Sequence, residues 1–323
     1  MIALRDAAFR LIGAFGLERS RLANRLRASG NRLVLVLHRV LPREAGADLS
    51  PAGMVLAEER FARLLDRLAG DFDILGPDAF LAGYPASLGR PSVLLTFDDG
   101  WLDVFRHAFP AMRERCLGGV LFASVRHVEE GSLFWPERLR LSAERLGASR
   151  FRDLTGEGLP GREDAEGWEA LLSRWKEAAE KERVEKLDRI EEAAGRPETD
   201  RRVLSWRELG ELAAGGIEIG SHGLTHRILT KIPEEEARRE AAESRRTIGE
   251  RTGRLPRLFA YPNGDRSARL VEIVREEGYA YAFSLRGRAG DPFDIPRINV
   301  HDGKMTDRRG RWCDTRLLWS LGA

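Results

Sequence analysis

With 323 residues the chain has room for one large core or two small ones. Apolar residues make up 42% and charged residues 32%, which fits a soluble globular protein, and a formal net charge of +2 gives no global bias toward nucleic acid. The two cysteines, Cys116 and Cys313, are not spaced as a metal-binding pair; a disulfide between them stays open, but two cysteines do not make a disulfide framework, and a reducing compartment is the default.

Residues 1–30 mix apolar positions (Ile2, Leu4, Phe9, Leu11, Ile12, Phe15, Leu17, Leu22, Leu26) with arginines (Arg5, Arg10, Arg19, Arg21, Arg25, Arg27). The run from Leu11 to Leu17 is too short to span a bilayer. Arg10 and Glu18 bracket it too tightly for a signal peptide. This is an amphipathic helical segment, packed on the domain as such helices usually are, with a basic helix resting on an anionic membrane surface through residues 1–28 as the rival reading. The expected location is cytoplasmic, with peripheral contact at the inner membrane face under the rival reading.

From there to residue 305, short apolar runs recur: Leu33–Leu37, Asp73–Leu75, Val93–Phe97, Gly119–Ala123, Ile217–Ile219, Leu258–Tyr261, Tyr281–Leu285 and Ile298–Val300. Helical patterns separate most of them, over Leu56–Leu68, Asp103–Arg115, Trp206–Ala214, Pro233–Thr252 and Ser267–Glu277. Strands alternating with helices imply a parallel sheet. About eight of them favour an α/β fold closed, or nearly closed, as a distorted (β/α)7-8 barrel over an open sheet. No glycine-rich dinucleotide fingerprint follows any strand. Residues 132–202 interrupt the rhythm with helical patterns near Glu137–Leu146 and Trp168–Ala194, divided by a charged, turn-forming stretch, Thr155–Gly167. They read as a helical insertion between two barrel strands, either a packed excursion or a lid or substrate wall over the site. Residues 306–323 are left as a C-terminal tail.

The run Ser92–Phe97 ends in Asp98, Asp99 and Gly100. Ionised Asp is expensive to bury unless paired or bound to a metal, and adjacent carboxylates repel. A second strand pattern, Ile217–Ile219, leads into His222 and His226, two of only six histidines. Four-residue spacing predicts both imidazoles on one side of a helical turn. One Asp with two His is a common ligand set for a catalytic divalent ion, leaving the other Asp free as a base. An ordinary Asp-Gly turn is the plain alternative for the first motif, and local chemistry does not say which Asp does which job. Ser221 and Thr225 are candidate supporting donors or caps.

Three segments in this order, TFDDG at 96–100, SHGLTH at 221–226 and FAYPNG at 259–264, resemble the polysaccharide deacetylases of carbohydrate esterase family 4, the nodulation-type deacetylase domain. The resemblance covers about residues 31–300. It implies a distorted β/α barrel, a divalent metal, zinc before others, and hydrolysis of an N-acetyl group on an amino sugar. Carried over residue by residue, it makes Asp98 the general base and Asp99, His222 and His226 the metal ligands. FAYPNG departs from the usual pattern, in which an Arg and a second Pro precede Pro-Tyr-Gly. The arginine that orients the base is missing there, and Arg257 and Arg297 are the candidates to replace it. Tyr261, Pro262 and Asn263 would form the oxyanion and substrate-binding turn, with the amide of Asn263 as donor.

The resemblance also calls for a proton donor to the leaving amine, and the late Leu-x-His motif of many members is absent. His38, ending the first strand in Leu35-Val36-Leu37-His38-Arg39-Val40, resembles the start of a permuted branch with an N-terminal general acid. That branch includes deacetylases acting on poly-N-acetylglucosamine. His301 is the rival, while His107 and His127 read as surface or structural. The implied activity is deacetylation of an amino sugar in a polysaccharide, oligosaccharide or glycolipid precursor, with no nucleic-acid partner. A non-catalytic glycan-binding barrel, or a metal-dependent hydrolase of another C–N amide, is the alternative. Metal identity, sugar and oligomeric state are not legible.

Overall fold

The computed structural model describes residues 8–9, 12–42, 50–82, 90–162, 164–195, 201–307 and 309–322. Ile2, Leu4, Arg5, Arg10 and Leu11 of the N-terminal segment lie outside them, as do parts of the insertion (163, 196–200) and of the tail (308, 323).

Eleven strands are described: β1 (Arg32–Leu37), β2 (Arg39–Leu41), β3 (Val55–Ala57), β4 (Asp73–Ile74), β5 (Ser92–Phe97), β6 (Gly119–Ala123), β7 (Ile217–Ser221), β8 (Leu258–Ala260), β9 (Tyr281–Ser284), β10 (Ile295–Pro296) and β11 (Ile298–Asn299). The main sheet runs β10-β9-β8-β7-β6-β5-β1-β11, with β4 added at the start of β5 and β2-β3 as a separate pair. The ladders between adjacent strands of the main sheet are parallel. Only Arg297 separates β10 from β11. Its N–H donates to the Ser284 carbonyl at 2.9 Å, on the β9 side, while the Val300 N–H donates to Val36 at 2.9 Å, on the β1 side. One short stretch thus pairs with both ends of the sheet and nearly closes the eight strands into a barrel.

The period-2 alternation sorts the strand residues. Leu33, Leu35 and Leu37 of β1 and Val93, Leu95 and Phe97 of β5 join the helix-side core with Phe61, Leu64 and Leu68. Val34, Leu94, Val120, Phe122 and Phe283 form a separate cluster between the strands. Asp98 continues the register of Leu94 and Thr96, so the alternation that fills the barrel also delivers a carboxylate to its mouth.

Strand positions agree with the sequence pattern to within one or two residues, but β2, β3 and β10 have too few residues to show a period. The insertion between β6 and β7 includes helices over Trp135–Leu146, Ala148–Thr155, Ala165–Glu177 and Glu180–Ala194. The single long helix expected over Trp168–Ala194 is broken, because Ala178 and Ala179 are extended (ψ 151° and 140°). Neither Gly nor Pro announces the break. It lets Leu171 and Trp175 fold back on Leu187 and Ile190 around Leu139 and Phe151. At the N-terminus, the helix Leu17–Ala28 packs on Asp314–Leu321 and buries Leu22, while Phe15 and Leu17 stay exposed. Among the described residues no helix is long and apolar enough to cross a membrane. Both cysteines are free thiols.

Candidate active site

β5 ends where Asp98 still donates its amide to Leu37 (3.0 Å) and Asp99 turns into the left-handed region at φ 74°. That conformation costs an L-residue roughly 1–2 kcal/mol, least for Asp and Asn. His226 (φ 60°) and Asn263 (φ 62°) share it, so three of the five described non-glycine residues with positive φ belong to the three motifs. Strain concentrated this way points to a functional constraint.

His222 and His226 reach Asp99 by a route the spacing did not foretell. The segment between them is a loop rather than a helical turn, bent at Gly223 (φ 79°). Glu240, buried on the helix Glu234–Thr252, holds it by accepting from the amides of Leu224 and Thr225, both at 2.8 Å, and from the Thr225 hydroxyl. Ser221 accepts from the Gly223 amide at 3.2 Å and donates to Ser244 at 2.8 Å, so both expected supporting hydroxyls are engaged. The His222 Nδ1–H donates to the Ala260 carbonyl at 2.8 Å, which leaves Nε2 with its lone pair facing the carboxylates. Burial pushes the His222 imidazole down to about 4, so it is neutral at ordinary pH.

One ligand atom each from Asp99, His222 and His226 lies within 4.8 Å of the other two. Asp99 Oδ1 is 3.1 Å from His226 Nε2 and 3.6 Å from His222 Nε2, and among the described residues it is buried without a well-formed hydrogen bond. An orphaned carboxylate oxygen facing two imidazole nitrogens, one of them fixed as a lone pair, is a donor set suited to a divalent ion.

Asp98 stands beside this cluster, its Oδ2 3.7 Å from His222 Nε2. Arg297 donates to both its oxygens, at 2.6 and 2.8 Å, within a pair that is almost fully buried. Burial alone would raise the Asp98 carboxyl; the Arg297 guanidinium, aided by His222, outweighs it and holds the group below its ordinary value. Arg257, the other candidate, is committed elsewhere: it forks onto Glu218 (2.9 Å twice) and reaches Asp78 at 2.5 Å. Arg297→Gln is therefore expected to destabilise the fold by roughly 3–5 kcal/mol, the cost of an uncompensated buried carboxylate. It should also move the acid limb of any pH–rate profile upward, because Asp98 loses the cation that keeps it ionised. Arg257→Gln, on a half-exposed pair, should change stability by about 1 kcal/mol or less and leave the profile in place. Urea melts and pH profiles of the two variants check both statements.

His38 follows β1 directly, and its Nδ1 is buried without a hydrogen-bond partner among the described residues. It lies near both Asp98 and Asp99. His301 lies near His38, but burial, with Lys304 adding to it, pushes its imidazole down to about 4, a poor proton donor at neutral pH. His127, expected to be surface or structural, is half-buried. It packs on Phe134 (ring centroids 3.9 Å), which meets His226 at 4.9 Å, so it backs the wall behind a ligand.

In the third motif the side chains split. Tyr261 is fully buried on the helix side, packed on Phe259 and donating its hydroxyl to the Phe293 carbonyl (3.1 Å). Its side chain therefore faces away from the site, against the substrate-binding expectation, and what it can offer is backbone. Pro262 is buried next to Gly223. Asn263 is exposed, its side chain donating to Asp265 (2.6 Å) and accepting from Lys176 Nζ (2.8 Å). Lys176 comes from the insertion and gave no signal in the sequence. Arg227 ties the same insertion to the loop after β7 through Glu180 (2.6 Å), and Lys231 reaches the Lys176 carbonyl (2.8 Å). A cleft of about 800 Å³ lies between the two, with His226, Phe134, Trp135, Arg183 and Leu187 on its walls. The insertion thus forms one side of the approach to the Asp99–His222–His226 cluster.

The barrel is similar to solved deacetylase structures. PplD from Streptococcus pyogenes, a deacetylase in complex with acetate, matches with a TM-score of 0.58 at 14% identity, over 90% of this chain and 97% of that one. IcaB from Ammonifex degensii gives 0.56 at 22% identity, over 90% and 97%. A de-N-acetylase from Aggregatibacter actinomycetemcomitans gives 0.54 at 13%, over 84% and 95%. At these identities the likeness is one of fold. Among proteins with curated descriptions, none matches the chain. The family model for polysaccharide deacetylases matches residues 86–282, more than half of the chain, and this range contains all three motifs. The chain belongs to the polysaccharide deacetylases, hydrolases that act on carbon–nitrogen bonds.

Proposed function

We propose that the chain is a metal-dependent deacetylase that removes acetyl from an N-acetylated amino sugar in a polysaccharide, an oligosaccharide or a glycolipid precursor. The observation that carries this reading is the meeting of Asp99, His222 and His226 with an Arg297-clamped Asp98 at the barrel mouth. A divalent ion held by those three residues, zinc before others, would polarise the acetamide carbonyl as a Lewis acid and lower the pKa of the attacking water.

The protein's own groups account for the remaining steps. Asp98, ionised because Arg297 faces it, takes the proton from the attacking water. The amide of Asn263 offers a donor to the oxyanion as the carbonyl becomes tetrahedral, a role that needs no particular side chain. His38 gives a proton to the departing amine. A barrel that binds glycan without turning it over drew its support from the missing motif arginine; an arginine on Asp98 removes that support.

A general acid must be protonated while the base is not, so turnover should fall at both pH extremes. His38→Ala is expected to remove the high-pH limb and to slow amide hydrolysis on the order of 100-fold. It should slow an activated acetate ester far less, because that leaving group needs little protonation. His301→Ala should change both substrates modestly. The check is turnover of both substrates across pH in each variant; a selective amide defect in His301→Ala, with His38→Ala near wild type, would reverse the assignment.

A further inference from the structure

Asp99 presents only one of its oxygens to the histidines. The other, Oδ2, accepts a hydrogen bond from the indole Nε1–H of Trp101 at 2.8 Å. Trp101 is the largest fully buried side chain. Its indole has little freedom to turn. The Arg39 guanidinium lies 4.2 Å from the ring centroid, and the Phe134 ring packs at 5.0 Å. Arg39 is itself fixed, donating to Asp103 at 2.7 Å and to Ser50 at 2.9 Å, while Asp103 also accepts from the Val40 amide at 2.8 Å. Ser50 donates in turn to Glu137 of the insertion (3.1 Å). The backbone around Trp101 is tied on both sides: it bridges to Val203, Leu102 donates to Arg202 (2.8 Å), and Leu204 donates to Gly100 (2.8 Å).

We propose that Trp101 is the positioning residue of the metal centre, holding Asp99 so that it offers Oδ1 alone. Asp99 needs such a hold. Its backbone is left-handed and belongs to no regular element, so the surrounding structure does not by itself select its rotamer. Two free oxygens would let it turn, bind through both, or swing toward His222. An indole suits the task because it is a donor only and carries no charge. It fixes one oxygen without cancelling the negative charge that attracts the cation, which a Lys or Arg at the same place would do. The frame around the indole is built from the β1–β2 junction, the strand end after β5 and the insertion. Sequence neighbours alone could not supply it.

The inference rests on Asp99 being a metal ligand, and the experiment separates the two. Apo protein is titrated with zinc against a chromogenic chelator, using the full-length wild type, Trp101→Phe, Trp101→His and His222→Ala. Trp101→Phe removes the donor and keeps a buried aromatic ring; it is expected to weaken zinc 10- to 100-fold. Trp101→His, which can still donate, should recover part of that loss. If His222→Ala binds zinc like wild type, the metal centre itself is wrong. If His222→Ala loses zinc while Trp101→Phe keeps wild-type affinity, the metal centre stands and the positioning role of Trp101 is overturned. A measurement on the unaltered protein covers the case in which the Trp101 variants do not fold. The Trp101 indole N–H should exchange slowly with solvent and shift when zinc is added; rapid exchange, or no shift while zinc binds, would overturn the proposal.

Discussion

Asp98→Asn is expected to leave the metal in place and to remove most of the turnover, on the order of 100-fold or more for loss of a general base. The substitution keeps the shape of the side chain, so the barrel mouth should survive. It does not keep the Arg297 pairing: two acceptors at 2.6 and 2.8 Å become one acceptor and one donor facing a guanidinium. A buried cation then loses its counter-charge, and a stability loss of roughly 3–5 kcal/mol should accompany the rate loss. Asp99→Asn should behave differently. It weakens the ligand facing His226, so metal content falls together with rate. Metal analysis, turnover and denaturant melts on the two variants decide the matter; equal metal and equal rates in both would end the division of labour between the two aspartates.

His222→Ala is expected to abolish turnover and to strip the metal. His222 is almost fully buried and donates Nδ1–H to the Ala260 carbonyl, so its removal also leaves a cavity and an unpaired carbonyl, together costing about 1–3 kcal/mol. His226 is partly exposed, and its Nε2 faces Asp99 Oδ1 at 3.1 Å. His226→Ala should therefore lose metal and activity with less damage to the fold. Metal content read alongside thermal melting separates the two contributions. Wild-type metal content and turnover in the His222 variant would refute the ligand assignment.

The candidate carboxylates and histidines were legible in the sequence because each sits just past a short apolar strand. A parallel β/α barrel gathers such positions at one end. The supports around them were not legible, for reasons that differ. Arg297 meets Asp98 across 199 residues, and the meeting depends on how β10 and β11 close the sheet. Sequence reading narrowed the replacement arginine to Arg257 and Arg297, and it took tertiary closure to leave one of them at Asp98. The His222–His226 spacing was read as a helical turn. Gly223 and His226 turn left-handed instead, and Glu240, 15 residues downstream of Thr225, fixes the loop. Tyr261 looked like a site residue because its motif neighbours do; just past β8 it continues the outward register of Phe259, which sends the ring into the helix layer. Lys176 lies in a charged helix with nothing local to single it out, and only the break at Ala178–Ala179 and the clamp from Lys231 bring it to Asn263.

The central claim is that the Asp99–His222–His226 cluster holds a divalent ion that this chain uses to cleave the acetamide of an amino sugar. Acetate release from acetylated chito-oligosaccharides tests it most directly, measured on one preparation as purified, after exhaustive chelation, and after zinc is restored. Release should stop on chelation and return with zinc. Release undiminished by chelation, or none under any condition while zinc binds to the cluster, would contradict it.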